Sequence, residues 1–167
     1  MPRPAYLSIE GQFDTKGALS EDSVSGRAND KHVDECLIIS VQHQVIVPTD
    51  PDSGLPSGKR RHGNLVLTKV FDSVSPSLYQ ALCENQDFNA TLSFDRVNPS
   101  NGQEEIYFEI ELSNARVVNM EIDVPSTIDP QYADYGDMER VSLAYQKIEW
   151  RHLPVSKSHI DDYRQTD

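Results

Sequence analysis

The chain reads as a mainly β protein, an antiparallel β-barrel or sandwich with one flanking α-helix and a long extended loop. Three observations carry that reading. Successive runs alternate apolar and polar residues with period two, turn residues punctuate them at regular spacing, and residues 75–85 alone combine helical start and stop signals. About seven strands with one helix fit a closed or sandwiched sheet with the helix packed at its side.

Ala5, Leu7, Ile9 and Phe13 share one side of the first strand, which Gly11 closes. Residues 14–34, rich in Ser, Asp, Glu, Gly and Asn, read as surface loop with at most one short strand. Cys36 to Val47 reads as one long strand, with Leu37, Ile39, Val41, His43, Val45 and Val47 on one face. The next stretch, Pro48 to His62, holds three prolines and two glycines, so neither helix nor ladder is expected to run through it. It is longer than most connections in compact domains, which marks it as functional. Its first half is acidic (Asp50, Asp52) and its end basic (Lys59, Arg60, Arg61).

Leu65 to Phe71 is a β-branched and aromatic run suited to a strand. In the helix that follows, Ser75 can cap, Pro76 suits the first turn, Asn85 suits a left-handed stop, and Leu78, Ala81 and Leu82 form the apolar stripe. Three strands then form a meander. Leu92 and Phe94 point inward in the first; Ile106, Phe108, Ile110 and Leu112 in the second; and, after a turn at Ser113-Asn114, Val118, Met120, Ile122 and Val124 in the third. A second long loop spans residues 125–136. The final strand, Met138 to Trp150, has apolar residues on both faces, as a covered strand should. Residues 1–152 are expected to form a single domain and residues 153–167 a polar C-terminal tail.

The net charge of −12 argues against a phosphate-binding surface, so nucleic acid is not an expected partner. No run is long enough to span a membrane and the N-terminal residues lack a signal-peptide pattern, so synthesis in the cytoplasm without membrane insertion is expected. Cys36 and Cys83 show no metal spacing and read as buried thiols. The histidines 32, 43, 62, 152 and 159 form no zinc motif; no nucleophile elbow, phosphate loop or dinucleotide fingerprint is present. Asp50 and Asp52 before Gly54 suggest a calcium loop only superficially, because Pro51, Pro56 and a missing distal glutamate break the pattern. Neither a catalytic site nor a cofactor nor a metal is expected.

Lys59-Arg60-Arg61-His62 is a basic cluster in an acidic protein, with Glu104, Glu105, Asp129, Asp134 and Asp137 as possible counterparts. Complementary patches on one molecule suit head-to-tail rings of identical subunits. The long loop is therefore read as an arm, with Pro48, Thr49, Asp50, Pro51, Lys59, Arg60, Arg61 and His62 as the protomer–protomer interface.

Several stretches are familiar together. Pro4-x-Tyr6 with Ile9-x-Gly11, Pro48-Thr-Asp-Pro-x-x-Gly54-x-Pro56-x-Gly58, Arg61-His62, Ser75-Pro76, Ala115-Arg-Val-Val and Val141-Ser-Leu-Ala-Tyr-Gln-Lys-Ile-Glu-Trp150 resemble the haemolysin-coregulated protein (Hcp) family of bacterial type VI secretion, over roughly residues 4–152. Asn64 departs from the proline expected after the Arg-His pair. The resemblance implies a non-catalytic tube protein: hexameric rings stacking into a hollow inner tube, wrapped by sheath proteins, capped by a VgrG-like spike protein and expelled through the machine. It also implies effector proteins held in the ring lumen, and an arm that engages the adjacent protomer. The alternative from the residues alone is a non-catalytic β-barrel that binds carbohydrate or peptide, with Tyr107, Tyr132, Tyr135 and Trp150 as its platform.

Overall fold

The computed structural model describes residues 3–162. Its strands are β1 (Ala5–Gly11), β2 (Cys36–Gln42), β3 (Val45–Ile46), β4 (Arg61–His62), β5 (Leu65–Val70), β6 (Phe88–Val97), β7 (Glu104–Asp123), β8 (Met138–Ala144), β9 (Lys147–His152) and β10 (Lys157–Asp162). Two α-helices, α1 (Glu21–Val24) and α2 (Ser75–Glu84), accompany them. The sheet runs β10-β9-β7-β6-β1-β2-β5-β8, and β8 pairs again with β7, closing β7, β6, β1, β2, β5 and β8 into an antiparallel barrel. β9 and β10 extend from the barrel as a wing beside the first half of β7.

Closure gives the alternating residues one interior. Leu7, Ile9, Ile38, Leu67, Leu92, Leu112, Val117 and Leu143 pack there, and Leu78 and Ala81 of α2 join the same cluster. Burying one such leucine is worth about 1.5–3 kcal/mol, so a ten-residue helix that could not stand in water is held by its stripe. Asn85 ends α2 at φ 58°, the left-handed stop its type favours.

The meander differs from the sequence reading at one corner. β7 is a single 20-residue strand, and no turn forms at Ser113-Asn114. Asn114 takes φ 49° and advances the inward face by three residues, from Leu112 to Ala115 and Val117, so Val118 is exposed; a register shift after Val117 brings Met120 back against the core, and Ile122 beyond it is exposed. The facing chain breaks at the same level: Met138 to Trp150 is two strands parted at Tyr145-Gln146. Val141, Leu143, Tyr145 and Ile148 are all buried, so the apparent two apolar faces are one face interrupted by a corner. Side chains stitch that corner, with Asn114 Nδ2 donating to Gln146 Oε1 at 3.0 Å and Asn114 N to Asn89 Oδ1 at 3.2 Å.

β2 stops at Gln42, and a bulge at Ile39 places Cys36 and Ile38 inside, leaving Ile39 outside. Residues 14–34 contain α1 and a 3-10 turn at Asp30–His32, with Thr15, Ala18 and Leu19 buried; this stretch is partly core. The expected tail is also corrected: Lys157–Asp162 pairs along β9, while residues 163–167 lie outside the described residues. Both cysteines are free, Cys36 buried and Cys83 exposed, so only one of the two expected buried thiols is buried.

A buried ionic cluster lies in the barrel wall. Lys69 of β5 donates to Glu139 of β8 at 2.6 Å and to the Ser75 hydroxyl at 3.0 Å, with Asp72 at 3.1 Å. The Ser75 hydroxyl donates to Glu139 at 2.5 Å, so it serves this cluster while Asp72 accepts from Val74 N at 2.9 Å and caps the helix entry. Burial works to lower the Lys69 pKa, but Asp72 first, then Cys36 and Glu139, outweigh it and keep the ammonium charged. Burial, then Asp72, pushes the Cys36 thiol well up.

Candidate interaction surface: the arm and its root

The arm is a free-standing hairpin. Val45 pairs with His62 and Ile46 with Arg61 at its base, and an isolated bridge joins Thr49 to Pro56. A ladder does therefore run into this proline-rich stretch, and Pro48, which has no N–H to give, serves through its carbonyl: Ser57 N donates to Pro48 O at 2.8 Å. Asp50 organises the tip. Its amide donates to Leu55 O and its carbonyl accepts from Gly54 N, each at 2.8 Å, while its Oδ1 accepts from Asp52 N at 2.8 Å and Ser53 N at 3.3 Å. Gly54 sits at φ 70°, a backbone state that favours glycine, with open space where a Cβ would stand.

Every residue from Thr49 to Arg61 is exposed, and Leu55 at the tip is 65% exposed. The arm therefore has no core, and its shape rests on local backbone bonds, prolines and its attachment. Of the eight residues expected at an interface, Thr49, Asp50, Pro51, Lys59 and Arg61 stand in the open and Pro48 is half-buried. Arg60 and His62 instead turn back to the protein's own body.

That attachment is a chain of polar groups. Arg60 donates to both oxygens of Asp161 on β10, from Nε at 2.6 Å and Nη2 at 2.5 Å. His62 Nε2 lies 2.7 Å from Asp161 Oδ2, and its Nδ1 lies 2.8 Å from the Tyr145 hydroxyl. On the other side of that hydroxyl, His43 Nε2 lies 2.6 Å away. Trp150 stacks on His62, centroids 6.5 Å apart, and on His159 at 6.1 Å. The hydrogen bond from Arg60 holds the Asp161 carboxyl below its ordinary range against opposing burial, with His62 assisting. Burial first, and the charge of His62 second, hold His43 below the usual histidine value.

An Asp-His-hydroxyl series resembles the parts of a nucleophilic triad, but Tyr145 is 1% exposed and imidazoles flank its hydroxyl on both sides. No substrate can approach that oxygen, so the chain is an anchor. The counterparts proposed for the basic cluster are partly engaged within the chain: Glu104 meets Arg3 at 3.3 Å and Lys31 at 3.4 Å, and Glu105 meets Arg96 at 2.7 Å. The four aromatic residues of the alternative platform have separate neighbours. Tyr107 lies beneath Arg96, Tyr132 and Tyr135 meet edge to face, and Trp150 lies among histidines. Sequence reasoning missed Asp161 and Tyr145 at the arm root; the conspicuous histidines at 43 and 62, spaced across the arm, were the available signal.

The fold and site together define a closed antiparallel barrel with a lateral helix and a projecting arm tied down through Asp161, His62, Tyr145 and His43. The comparisons agree. The family model described as "Type VI secretion system effector, Hcp" matches residues 6–152. The "Major exported protein" of Pseudomonas aeruginosa is 36% identical over 168 residues, covering 98% of this chain and 97% of that protein. A crystal structure of an Hcp protein superposes with a TM-score of 0.91 at 32% identity, covering 98% of this chain and 99% of the other. The secreted protein Hcp3 from Pseudomonas aeruginosa does so with a TM-score of 0.81 at 31% identity, covering 97% and 99%. The chain belongs to the Hcp family, the secreted tube proteins of type VI secretion, which are structural proteins and not enzymes.

Proposed function

We propose that copies of this chain close into hexameric rings through their arms, that the rings stack into the hollow inner tube of a type VI machine, and that effector proteins travel in the lumen. In this reading the tube is wrapped by sheath proteins and tipped by a VgrG-like spike, and it leaves the bacterial cytoplasm through the machine itself. The observation that carries the reading is the arm: a hairpin ordered by its own backbone, exposed along its length, with Leu55 presented at the tip and Lys59 and Arg61 exposed near the base. Ordering the arm in advance lowers the cost of docking it on a neighbour.

Light scattering coupled to size exclusion tests this directly. A ring has a mass close to six times the 18.8 kDa of the chain, and the double variant Lys59→Glu, Arg61→Glu is expected to remain a folded monomer. Rings that persist in that variant would remove arm charge from the account. A wild-type chain that stays monomeric at every concentration and salt, and that electron microscopy never shows in tubes, would sink the reading as a whole.

A further inference from the structure

Arg3, Arg60, Arg96, Arg116, Arg140 and Arg151 each pair with a carboxylate of their own chain. Arg27 does not: among the described residues nothing forms a hydrogen bond or ion pair with its guanidinium, in a chain of net charge −12. It is nevertheless placed. Gly26 turns the chain after α1 at φ 79°, its amide donating to Glu21 Oε1 at 2.9 Å, and the guanidinium comes to rest against Gly136. A Cβ on residue 136 would stand 2.8 Å from Nη2 and 3.3 Å from Cζ, so the guanidinium can lie there only because that residue is glycine.

Arg27 and Gly136 line an open cavity of about 340 Å³ beside the end of β5. Val24, Val70 and Phe71 give it an apolar wall, with Phe71 37% exposed. Asp22 and Asp137 line it too, and neither forms an ion pair with Arg27. A partner that suits this wall brings an apolar group to Phe71 and one carboxylate to the guanidinium, whose planar fork takes a carboxylate in two parallel bonds. Without Arg27, that carboxylate would meet only like charge in the cavity.

The arm tip carries both groups. Leu55 is 65% exposed. Asp52, in the same turn, is exposed as well, and the side-chain bonds that shape the tip run to Asp50 Oδ1 and leave the Asp52 carboxylate out. Tip and cavity belong to opposite ends of the molecule. The arm continues the β2–β5 pair beyond Gln42 and Leu65, whereas the cavity lies past Val70, at the far end of six residues of strand, roughly 20 Å away. An arm that leaves from one end does not fill the cavity at the other, so the occupant is a second copy.

We propose that the arm tip of one copy seats in the Arg27 cavity of the next, with Asp52 on the guanidinium and Leu55 on Phe71, joining copies head to tail. The inference rests on the assembly reading above and names the receptor for its arm. The two halves of the contact lie on different surfaces, so each copy offers its tip to one neighbour and its cavity to another, and the contact repeats. Gly136 and the turn at Gly26 hold the receptor cation ready before the tip arrives.

Light scattering and electron microscopy on the full chain across a dilution series test it. Arg27→Asp and Asp52→Arg should each raise at least about tenfold the concentration at which half the chains assemble, in rings or in tubes. Together they present a cation to three carboxylates and should restore assembly to within about threefold of the wild type. Asp137→Asn, which removes a like charge from the same cavity, should strengthen assembly. Circular dichroism checks the fold of each variant. If Arg27→Asp disturbs it, Gly136→Ala, whose methyl displaces the guanidinium, takes its place, and adding Asp52→Asn to that variant should weaken assembly no further. Single variants that assemble as the wild type does, or a double variant no better than its parents, overturn the proposal and leave the ring reading standing. A wild type that never leaves the monomer overturns both.

Discussion

Two ionic clusters join distant parts of this chain and differ in exposure. In the barrel wall the side chains of Lys69, Asp72 and Glu139 are 0–1% exposed; at the arm root Arg60 is 45% exposed above Asp161 at 15%. The first has no water to replace a lost partner, so deleting one member strands a buried charge. At the second, water can take over part of the Arg60–Asp161 pair, whose net worth is correspondingly small, while His62 beneath it is 1% exposed. Burial makes the first cluster costly to break at any member and leaves only the Arg60 side of the second open to water.

The largest contrast should appear in thiol chemistry. Cys36 lies beside the wall cluster and is buried, whereas Cys83 projects from α2. Native protein is expected to label quickly at Cys83 and at least about a thousandfold more slowly at Cys36, which becomes reachable only by opening the barrel. Comparable rates at both would show the wall to be loose.

Next comes Lys69→Ala, expected to lower stability by about 3–5 kcal/mol because it removes the buried cation that Glu139 and Asp72 face. Urea midpoints measure this, and a loss below about 1 kcal/mol would place the two clusters in one class. Smaller again is the effect of pH. His43 titrates below its ordinary value in the fold, so the unfolded chain binds the proton first; its contribution is complete above about pH 6.5 and is lost as pH falls from there. The Asp161 contribution, also from a depressed value, is lost only at lower pH, and Glu35, raised chiefly by burial, changes stability in the opposite sense. Denaturation midpoints should therefore fall as pH drops below about 6.5 in the wild type and fall less in His43→Gln.

The smallest global effect belongs to Gly54→Ala. Its φ of 70° costs an alanine about 1 kcal/mol, but the strain is confined to the arm tip. Faster exchange at residues 50–55 with an unchanged urea midpoint is the expected outcome; a shifted midpoint would mean that the arm belongs to the barrel's cooperative unit.

Period-two alternation carried the barrel into view because one buried face repeats along β1, β6 and the first half of β7. The stop at Asn85 and the stripe of α2 were equally readable. The corner at Asn114 and Tyr145-Gln146 was hidden, since a left-handed residue changes which side faces inward without changing composition. Lys69 gave no local sign either: its partner Glu139 is 70 residues away, and a lysine in an apolar run looks the same buried or exposed. β10 escaped notice because Lys-Ser-His-Ile-Asp-Asp has one large apolar residue, and backbone pairing with β9 holds it. At the arm, length and proline content pointed to a projecting element. The split between groups that face outward and those that anchor it depended on Asp161, about a hundred residues further along.

The long β7 has a mechanical consequence. Its partners β8 and β9 follow one another along it, with Arg116 opposite Ala144 and Ser113 opposite Lys147, so barrel and wing hang from one strand, like a beam with a corner at Asn114. A force drawn along that beam is shared among its cross-strand bonds at once, whereas a force on the outer edge of β10 meets them pair by pair. The molecule should therefore be stiff along β7 and yielding at the wing, and the wing is where the arm is tied.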